Sequence, residues 1–540
     1  MAKMSQAGSG DVVPAQRDEV MPIAVGSLLL AFVALLFCSM KGWLLLYGDA
    51  VAHLHIARRI FDSRNPGISQ LGGVWLPFPH LLLIPFVQKM AWWQSGLAGA
   101  FPSIASYVVS VACVFMLARY LVPQRWALAA TLFFAINPGL LYLSTTAMTE
   151  PLFLALVLGS VVLLTVWRGA LERGDYRGAN GALECAGLVL LCAAYTRYDG
   201  WILATAAWLL VVWKLASKGA WKRTAAPFLV FTVLLLAAPL GWLAYNAHYF
   251  HDPLDFMRGP YSAKAIEART TPPGSFHYPG WHDPRLAAMY YAKTAQVDAA
   301  AGHAGLLVFA LAIGGLWLAF RRRGIAAPSL LLWVPLPFYI YSVAYGSVPI
   351  FIPQWWPHSY YNARYGMEML PAFALFAAVC LAAVERKMSA LWPVARLVLF
   401  PATLVLILAN AGVLLYAKPL VLQEALVNAR TRIAFETSLA NDLETLPAGS
   451  TILMYNSDHV GALQQAGIPL KQTVNEFDRD RWQAALASPA ASAAYVVAID
   501  GDAVSAAVKE HPDGLQEMSI LCTTGQHCAR LYASEVYRSK

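Results

Sequence analysis

The chain has 540 residues, of which 58% are hydrophobic and only 13% charged, with a mean hydropathy of +0.52. A soluble domain carries about 25% charged residues, so most of this chain belongs in lipid. The formal net charge of +8 is assigned to basic loops on one side of a membrane, because no RNP-like motif, zinc-finger spacing or basic-aromatic stripe points to nucleic acid.

Residues 1–20 are polar, hold Asp11, Asp18 and Glu19, and lack a basic n-region and a cleavage site. They are expected to form a cytoplasmic tail before a retained first membrane helix. A bilayer core of about 30 Å needs roughly 20 apolar residues per helix. On that measure the predicted spans are Met21–Tyr47, Pro102–Tyr120, Trp126–Leu143, Pro151–Trp167, Leu183–Tyr195, Trp201–Leu215, Pro227–Tyr245, His303–Phe320, Pro328–Tyr345, Met367–Val384 and Pro393–Tyr416. The stretch "LPFPHLLLIPFVQKMAWW" is also apolar, but Pro77, Pro79 and Pro85 interrupt it, and it reads as short helices at the interface.

Basic residues test this count. With an internal N-terminus, the cytoplasmic loops hold Arg119 and Arg125; Arg168, Arg173 and Arg177; Lys214, Lys218, Lys222 and Arg223; Arg321, Arg322 and Arg323; and Arg386 and Lys387. The expected fold is a polytopic α-helical protein of the inner (plasma) membrane with about eleven spans over 21–416. External loops are expected at 48–101, 246–302 and 346–366. Residues 417–540 are expected to form a small extracytoplasmic α/β domain, in which "STILMYN" and "AAYVVAID" read as strands and "RDRWQAALA" as a helix.

Cys38, Cys113, Cys185, Cys192 and Cys380 lie in apolar runs and read as small core residues. Cys522 and Cys528, in the polar "LCTTGQHC", suit a disulfide loop in an oxidising compartment. No internal repeat marks an inverted-repeat transporter, and no span interior carries a chain of ionisable residues. The polar groups gather instead at the external ends of the spans.

The first such end is "LLLYGDAVAHLHIARRI". Asp49 and His53 are one helical turn apart and share a face of a short helix, while His55 points elsewhere. Asp49 is equally suited to capping that helix. A divalent metal on Asp49 and His53 would need further ligands, since one turn supplies two at most. In "TEPLF", Glu150 precedes Pro151 at a span start, where an acid is ordinary capping. "TRYDGW" sets Arg197 and Asp199 in a tight turn, as a pair that could close a hairpin. "NAHYFHDPLDFMRGP" carries His248, His251, Asp252 and Arg258, and "ARYGMEMLP" puts Arg364 and Tyr365 at the outer end of a span. Arg364 there is also placed to snorkel to headgroups.

In order and sidedness this set resembles the GT-C superfamily of integral membrane glycosyltransferases, in the branch of protein O-mannosyltransferases and the aminoarabinose transferase of lipid A. The resemblance covers Met21 to Tyr416. It rests on an acid after span one, the Pro-rich juxtamembrane "WLPFPHLLLIPFV", "TEPLF", "TRYDGW", "NAHYFHDPLDF" and "ARYGMEMLP". Departures are Ala50, where many relatives have a second acid, and the absence of a DxD motif and of a WWDYG sequence.

The resemblance implies transfer of a sugar from a polyprenyl-phosphate donor to an extracytoplasmic hydroxyl of a glycan, lipid or protein, with inversion and without a nucleotide fold or cofactor. Guanidinium matches phosphate geometry, so Arg364 and Arg197 are the expected phosphate ligands, with hydrogen bonds from His80 and Tyr365. The acceptor hydroxyl needs a carboxylate base, for which Asp49 is the candidate and Glu150 its helper. His53, Asp199 and Arg258 are assigned support. The alternative function is a non-catalytic transporter or binding protein for lipid-linked glycans, in which the acids only bind sugar hydroxyls.

Overall fold

The computed structural model describes residues 16–272, 274–321 and 327–538. Most of the predicted N-terminal tail, Arg322 and Arg323 of the basic loop, and Lys540 lie outside the described residues.

The first apolar run forms α1 (Arg17–Met40), which opens on a bond from the backbone N–H of Gln16 to Glu19 at 3.0 Å. It stops seven residues before the predicted end of its span. The reason is local: Lys41 closes the helix and Gly42 adopts a left-handed φ of 70°. Leu44, Leu46 and Tyr47 then turn into the protein core instead of facing lipid. The chain re-enters a helix at α2 (Gly48–Arg59), and the Pro-rich stretch folds as α3 (Phe78–Val87) and α4 (Met90–Ser95).

The bundle continues with α5 (Leu97–Leu121), α6 (Gln124–Ala135), α7 (Pro138–Leu143), α8 (Glu150–Glu172), α9 (Tyr176–Ala194), α10 (Asp199–Lys218) and α11 (Trp221–Phe250). The second external segment carries α12 (Asp255–Arg258), α13 (Ala263–Thr270) and α14 (Pro284–Ala299). Then come α15 (Ala304–Arg321), α16 (Pro335–Tyr345), α17 (Leu370–Leu391) and α18 (Ala395–Ala417). Among the described residues, eight helices are long and apolar enough to cross a membrane, as befits a multi-pass membrane protein. The other three predicted spans are less regular. Trp126–Leu143 breaks at Asn137, whose side chain caps α7 by accepting from the N–H groups of Gly139 and Leu140. Pro328–Tyr345 is a 3-10 turn followed by α16. Leu183–Tyr195 falls in the second half of α9 and its C-cap, Tyr195, and α9 also carries Arg177 and Glu184.

Helix packing in lipid relies on small residues that let backbones approach. Gly315 of α15 is one: a Cβ there would run into the backbone of Phe376 on α17. Of the cysteines read as core, Cys38 and Cys113 are buried, but Cys185 is exposed on the surface of α9, where lipid removes the penalty for leaving an apolar group uncovered.

Beyond α18, α19 (Leu420–Glu444) leads into a sheet of β1 (Ile452–Met454), β2 (Thr473–Val474), β3 (Tyr495–Ile499), β4 (Leu515–Leu521) and β5 (Ala529–Ser534), with α20 (Val460–Ala466), α21 (Arg479–Ala487), α22 (Pro489–Ser492) and α23 (Ala503–Glu510) between strands. Strand order is β2-β1-β3-β5-β4, with the first three parallel and β5 antiparallel to both its neighbours. Alternation splits the sheet's side chains. Ile452, Met454, Val497 and Ile499 join the core shared with the membrane bundle, while Leu453, Val496 and Ala498 pack on Trp482 and Val504. Cys522 and Cys528 are disulfide-bonded.

This C-terminal unit grips α2 and its surroundings. Arg432 of α19 donates to the carbonyls of Leu45 and Leu46 at 2.9 and 3.0 Å. Arg64 donates to Thr473 O at 2.9 Å, and the Arg59 guanidinium lies 3.6 Å from the Phe477 ring centre.

Candidate active site

Asp49 sits in the first turn of α2, Glu150 in that of α8 and Asp199 in that of α10. All three therefore meet at one end of the bundle. The other ends of α8 and α10 bring Glu172 to Lys214 and Lys218. Arg364 lies on a 3-10 turn, Ala363–Met369, just before α17. Gly366 allows that turn to press on α14, since a Cβ there would meet the backbone of Ala295 and the Asp298 side chain.

Arg364 and Arg197 organise the site. Each of the three Arg364 nitrogens has its own carboxylate: Nη2 to Asp49 at 2.5 Å, Nε to Glu150 at 3.1 Å and Nη1 to Glu424 at 3.5 Å. Arg197 donates to Glu150 Oε1 at 3.3 Å, Thr149 Oγ1 at 3.0 Å and the Tyr339 hydroxyl at 2.6 Å. It also pairs with Asp199 at 3.4 Å and Glu368 at 3.1 Å. Tyr339 passes its own hydrogen to Glu368 at 2.7 Å. The Tyr365 ring lies between the two guanidiniums, with centroid distances of 4.9 Å to Arg364 and 5.1 Å to Arg197. Two guanidiniums thus face five carboxyl groups, Asp49, Glu150, Asp199, Glu368 and Glu424, and all but Asp49 are buried, so the charges need partners.

Asp49 does not cap its helix. Tyr47 occupies the cap position without a side-chain bond, and the Asp49 carboxylate turns to Arg364. Its side chain is 40% exposed, against 1% for Glu150 and 2% for Glu424. The exposed part of Asp49 lines a cavity of about 650 Å³ shared with His53, Glu150, Arg197, Asp199, Arg364 and Tyr365. The rest of the lining is largely apolar and aromatic, with Trp75, Leu76, Leu243, Phe256, Phe338 and Tyr345.

His53 Nδ1 and His80 Nε2 share a hydrogen bond of 2.9 Å, and the Trp75 ring lies tilted with its centroid 4.5 Å from that of His53. Burial pushes the His53 imidazole down to about 4, against the pull of the Asp49 carboxylate. It is therefore a neutral hydrogen-bonding group at neutral pH. His80 is fully buried behind it and is not among the residues that line the cavity. Arg258 is also outside the cavity lining; it is exposed and pairs with Asp252 at 3.5 Å. His55 packs toward Phe477, away from the site. Among the described residues no group of three or more His, Cys, Asp or Glu is arranged to hold a metal ion.

Sequence reasoning missed Glu424, Glu368, Tyr339 and Lys264. Glu368 carried a usable signal, an acid one helical turn after Arg364 at the head of an apolar span. Glu424 similarly sits among apolar residues in "LVLQEALV". Nothing sets Tyr339 apart from the other tyrosines. Lys264 of α13 lines the cavity, is exposed, and forms no ion pair among the described residues.

No family model and no curated protein matches this sequence. Solved structures do. ArnT from Cupriavidus metallidurans bound to undecaprenyl phosphate aligns over 96% of this chain and 98% of its own, at 13% identity and a TM-score of 0.56. Its apo form aligns over 94% and 98%, at 14% identity and a TM-score of 0.54. The chain has a GT-C-like fold. An archaeal oligosaccharyltransferase, AglB from Archaeoglobus fulgidus in complex with an inhibitory peptide and a dolichol-phosphate, is more distant, covering 96% of this chain and 77% of its own at 11% identity and a TM-score of 0.47. The GT-C-like fold accounts for the bundle and the C-terminal unit together, since the ArnT alignments run nearly end to end.

Proposed function

We propose that this protein is a glycosyltransferase that moves a sugar from a polyprenyl-phosphate donor to an extracytoplasmic acceptor hydroxyl, with inversion and with Asp49 as general base. The observation that carries this reading is the exposure of Asp49. It is by far the most exposed carboxylate of the Arg364 trio, and the cavity it lines holds many apolar and aromatic residues suited to a prenyl chain. The donor class follows the GT-C-like fold, since ArnT was solved with undecaprenyl phosphate.

The acceptor oxygen attacks the anomeric carbon from the face opposite the phosphate. The bond from that carbon to the phosphate oxygen breaks, polyprenyl phosphate leaves, and the acceptor proton goes to Asp49. Phosphate is a good leaving group and needs cationic contacts more than a general acid. Arg364 and Lys264 supply them, while Arg197, paired with Glu150, Asp199 and Glu368, positions Glu150. Glu150 in turn holds both guanidiniums through one oxygen. No cofactor is assigned.

The site end of the bundle is taken as extracytoplasmic, because the opposite end carries the basic clusters. Glu19 of α1 pairs with Arg119, at the last turn of α5, on that basic end, and α19 meets Arg364 at the site end. This supports opposite sides for the start of α1 and for α19 with the sheet that follows it. The test is transfer from a panel of polyprenyl-phosphate sugars by purified protein in nanodiscs. A folded protein that binds the lipids and never cleaves the sugar–phosphate bond would favour the carrier reading.

A further inference from the structure

This inference rests on the donor assignment above and concerns the same site. We propose that Arg364 is shared in turn between Asp49 and the donor phosphate, so that lipid-phosphate binding is what releases the base. All three Arg364 nitrogens are on carboxylates. Two of the five guanidinium N–H donors remain, but the side chain is only 8% exposed, so a phosphate that engages it from the cavity competes with the carboxylate on the cavity side. Glu424 lies outside the cavity lining and Glu150 only edges it, with side-chain exposures of 2% and 1%, whereas Asp49, at 40%, is open to the cavity from which the donor comes. Asp49 is the partner that exchanges.

The guanidinium is built to stay in place during that exchange. Glu424 accepts from the Arg364 backbone N–H at 3.4 Å and from the Tyr47 hydroxyl at 3.1 Å, and it also pairs with the Arg364 side chain. The Tyr47 and Tyr365 rings flank Arg364 at 5.3 and 4.9 Å. Glu424 is a positioning residue in this scheme: it anchors Arg364 while the exposed contact changes hands. Before the exchange, the acceptor proton competes with Arg364 for the Asp49 carboxylate. After it, Arg364 neutralises the phosphate and Asp49 is free to take the proton as the anomeric bond to phosphate breaks. The base becomes competent once the donor is seated, which orders the reaction.

The experiment measures binding of undecaprenyl phosphate to the full chain in nanodiscs, for wild type, Asp49→Asn, Asp199→Asn, Arg364→Lys and the Asp49→Asn/Arg364→Lys double variant. Asp199→Asn removes the same charge from the cavity wall, but from Arg197 rather than Arg364. Asp49→Asn should bind about fivefold tighter than wild type, the scale of turning one charge-assisted contact into an ordinary one. Asp199→Asn should gain less than half as much on the same free-energy scale. In the Arg364→Lys background the Asp49→Asn gain should shrink to about twofold or less. Equal or weaker binding by Asp49→Asn overturns the exchange, as does a gain that survives Arg364→Lys, since plain charge repulsion would explain it. Should Arg364→Lys not fold, equal gains from Asp49→Asn and Asp199→Asn overturn it alone. A folded wild type that binds no undecaprenyl phosphate fails the donor assignment itself, a different result from binding that Asp49→Asn does not improve.

Discussion

Replacing Asp49 with Asn removes a charge and almost nothing else. The amide oxygen can still accept from Arg364 Nη2, so a charge-assisted bond becomes an ordinary one, a difference of about 1 kcal/mol. Asp49 is 40% exposed, and solvent screening brings the stability cost below that figure. The variant should therefore fold. Its amide cannot take a proton, so transfer should fall by about 10²–10⁴, the usual worth of a general base. Glu150→Gln supplies the contrast. Glu150 Oε1 meets Arg364 at 3.1 Å and Arg197 at 3.3 Å with 1% of the side chain exposed. Breaking a buried ion pair costs about 3–5 kcal/mol, so this variant should lose stability as well as activity. Single-turnover transfer of labelled sugar from a polyprenyl phosphate reads the first effect, and thermal unfolding in the same nanodiscs reads the second. An Asp49→Asn enzyme within about tenfold of the wild-type rate would refute the base assignment and pass the role to Glu150.

Lys264→Ala should weaken undecaprenyl-phosphate binding about three- to fivefold, an effect that fades at high salt because Lys264 is exposed; Arg258→Ala, outside the cavity, should not, and equal losses would deny Lys264 a special role. The His53 value of about 4 lies below the ordinary 6.5, so the unfolded chain binds the extra proton in that window. The stability this adds, ~3 kcal/mol from the size of the shift, should be present above pH 6.5 and lost as pH falls through 4. His53→Gln should flatten that part of an unfolding-versus-pH curve, and an unchanged slope would count against a neutral buried imidazole. The Cys522–Cys528 loop is short, so Cys522→Ser should cost about 2 kcal/mol of local stability, seen as faster amide exchange in β4 and β5. A chelator should leave transfer unchanged; activity lost to it and restored by a divalent cation would replace the base with a metal.

Some of this was legible in the order of residues alone. Apolar runs, prolines and basic loops are local signals, and they foretold the helical membrane bundle, the short helices at Phe78–Val87 and Met90–Ser95, and the C-terminal strands. The same alternation placed Asp49, Glu150, Arg197 and Arg364 on one face, because a chain that crosses and recrosses lipid must put its turns alternately on two sides. Partnership is another matter. Arg364 reaches Asp49 across 315 residues of sequence, and Arg197 reaches Tyr339 across 142. No periodicity encodes such a meeting. It depends on which turns close on one another once the helices pack, and on where the C-terminal unit delivers Glu424. Arg364 and Arg197 read as free phosphate ligands from sequence, whereas the folded chain surrounds both with carboxylates. The physical reason is desolvation: a buried guanidinium must be paired before any ligand arrives, and only the tertiary structure decides with what.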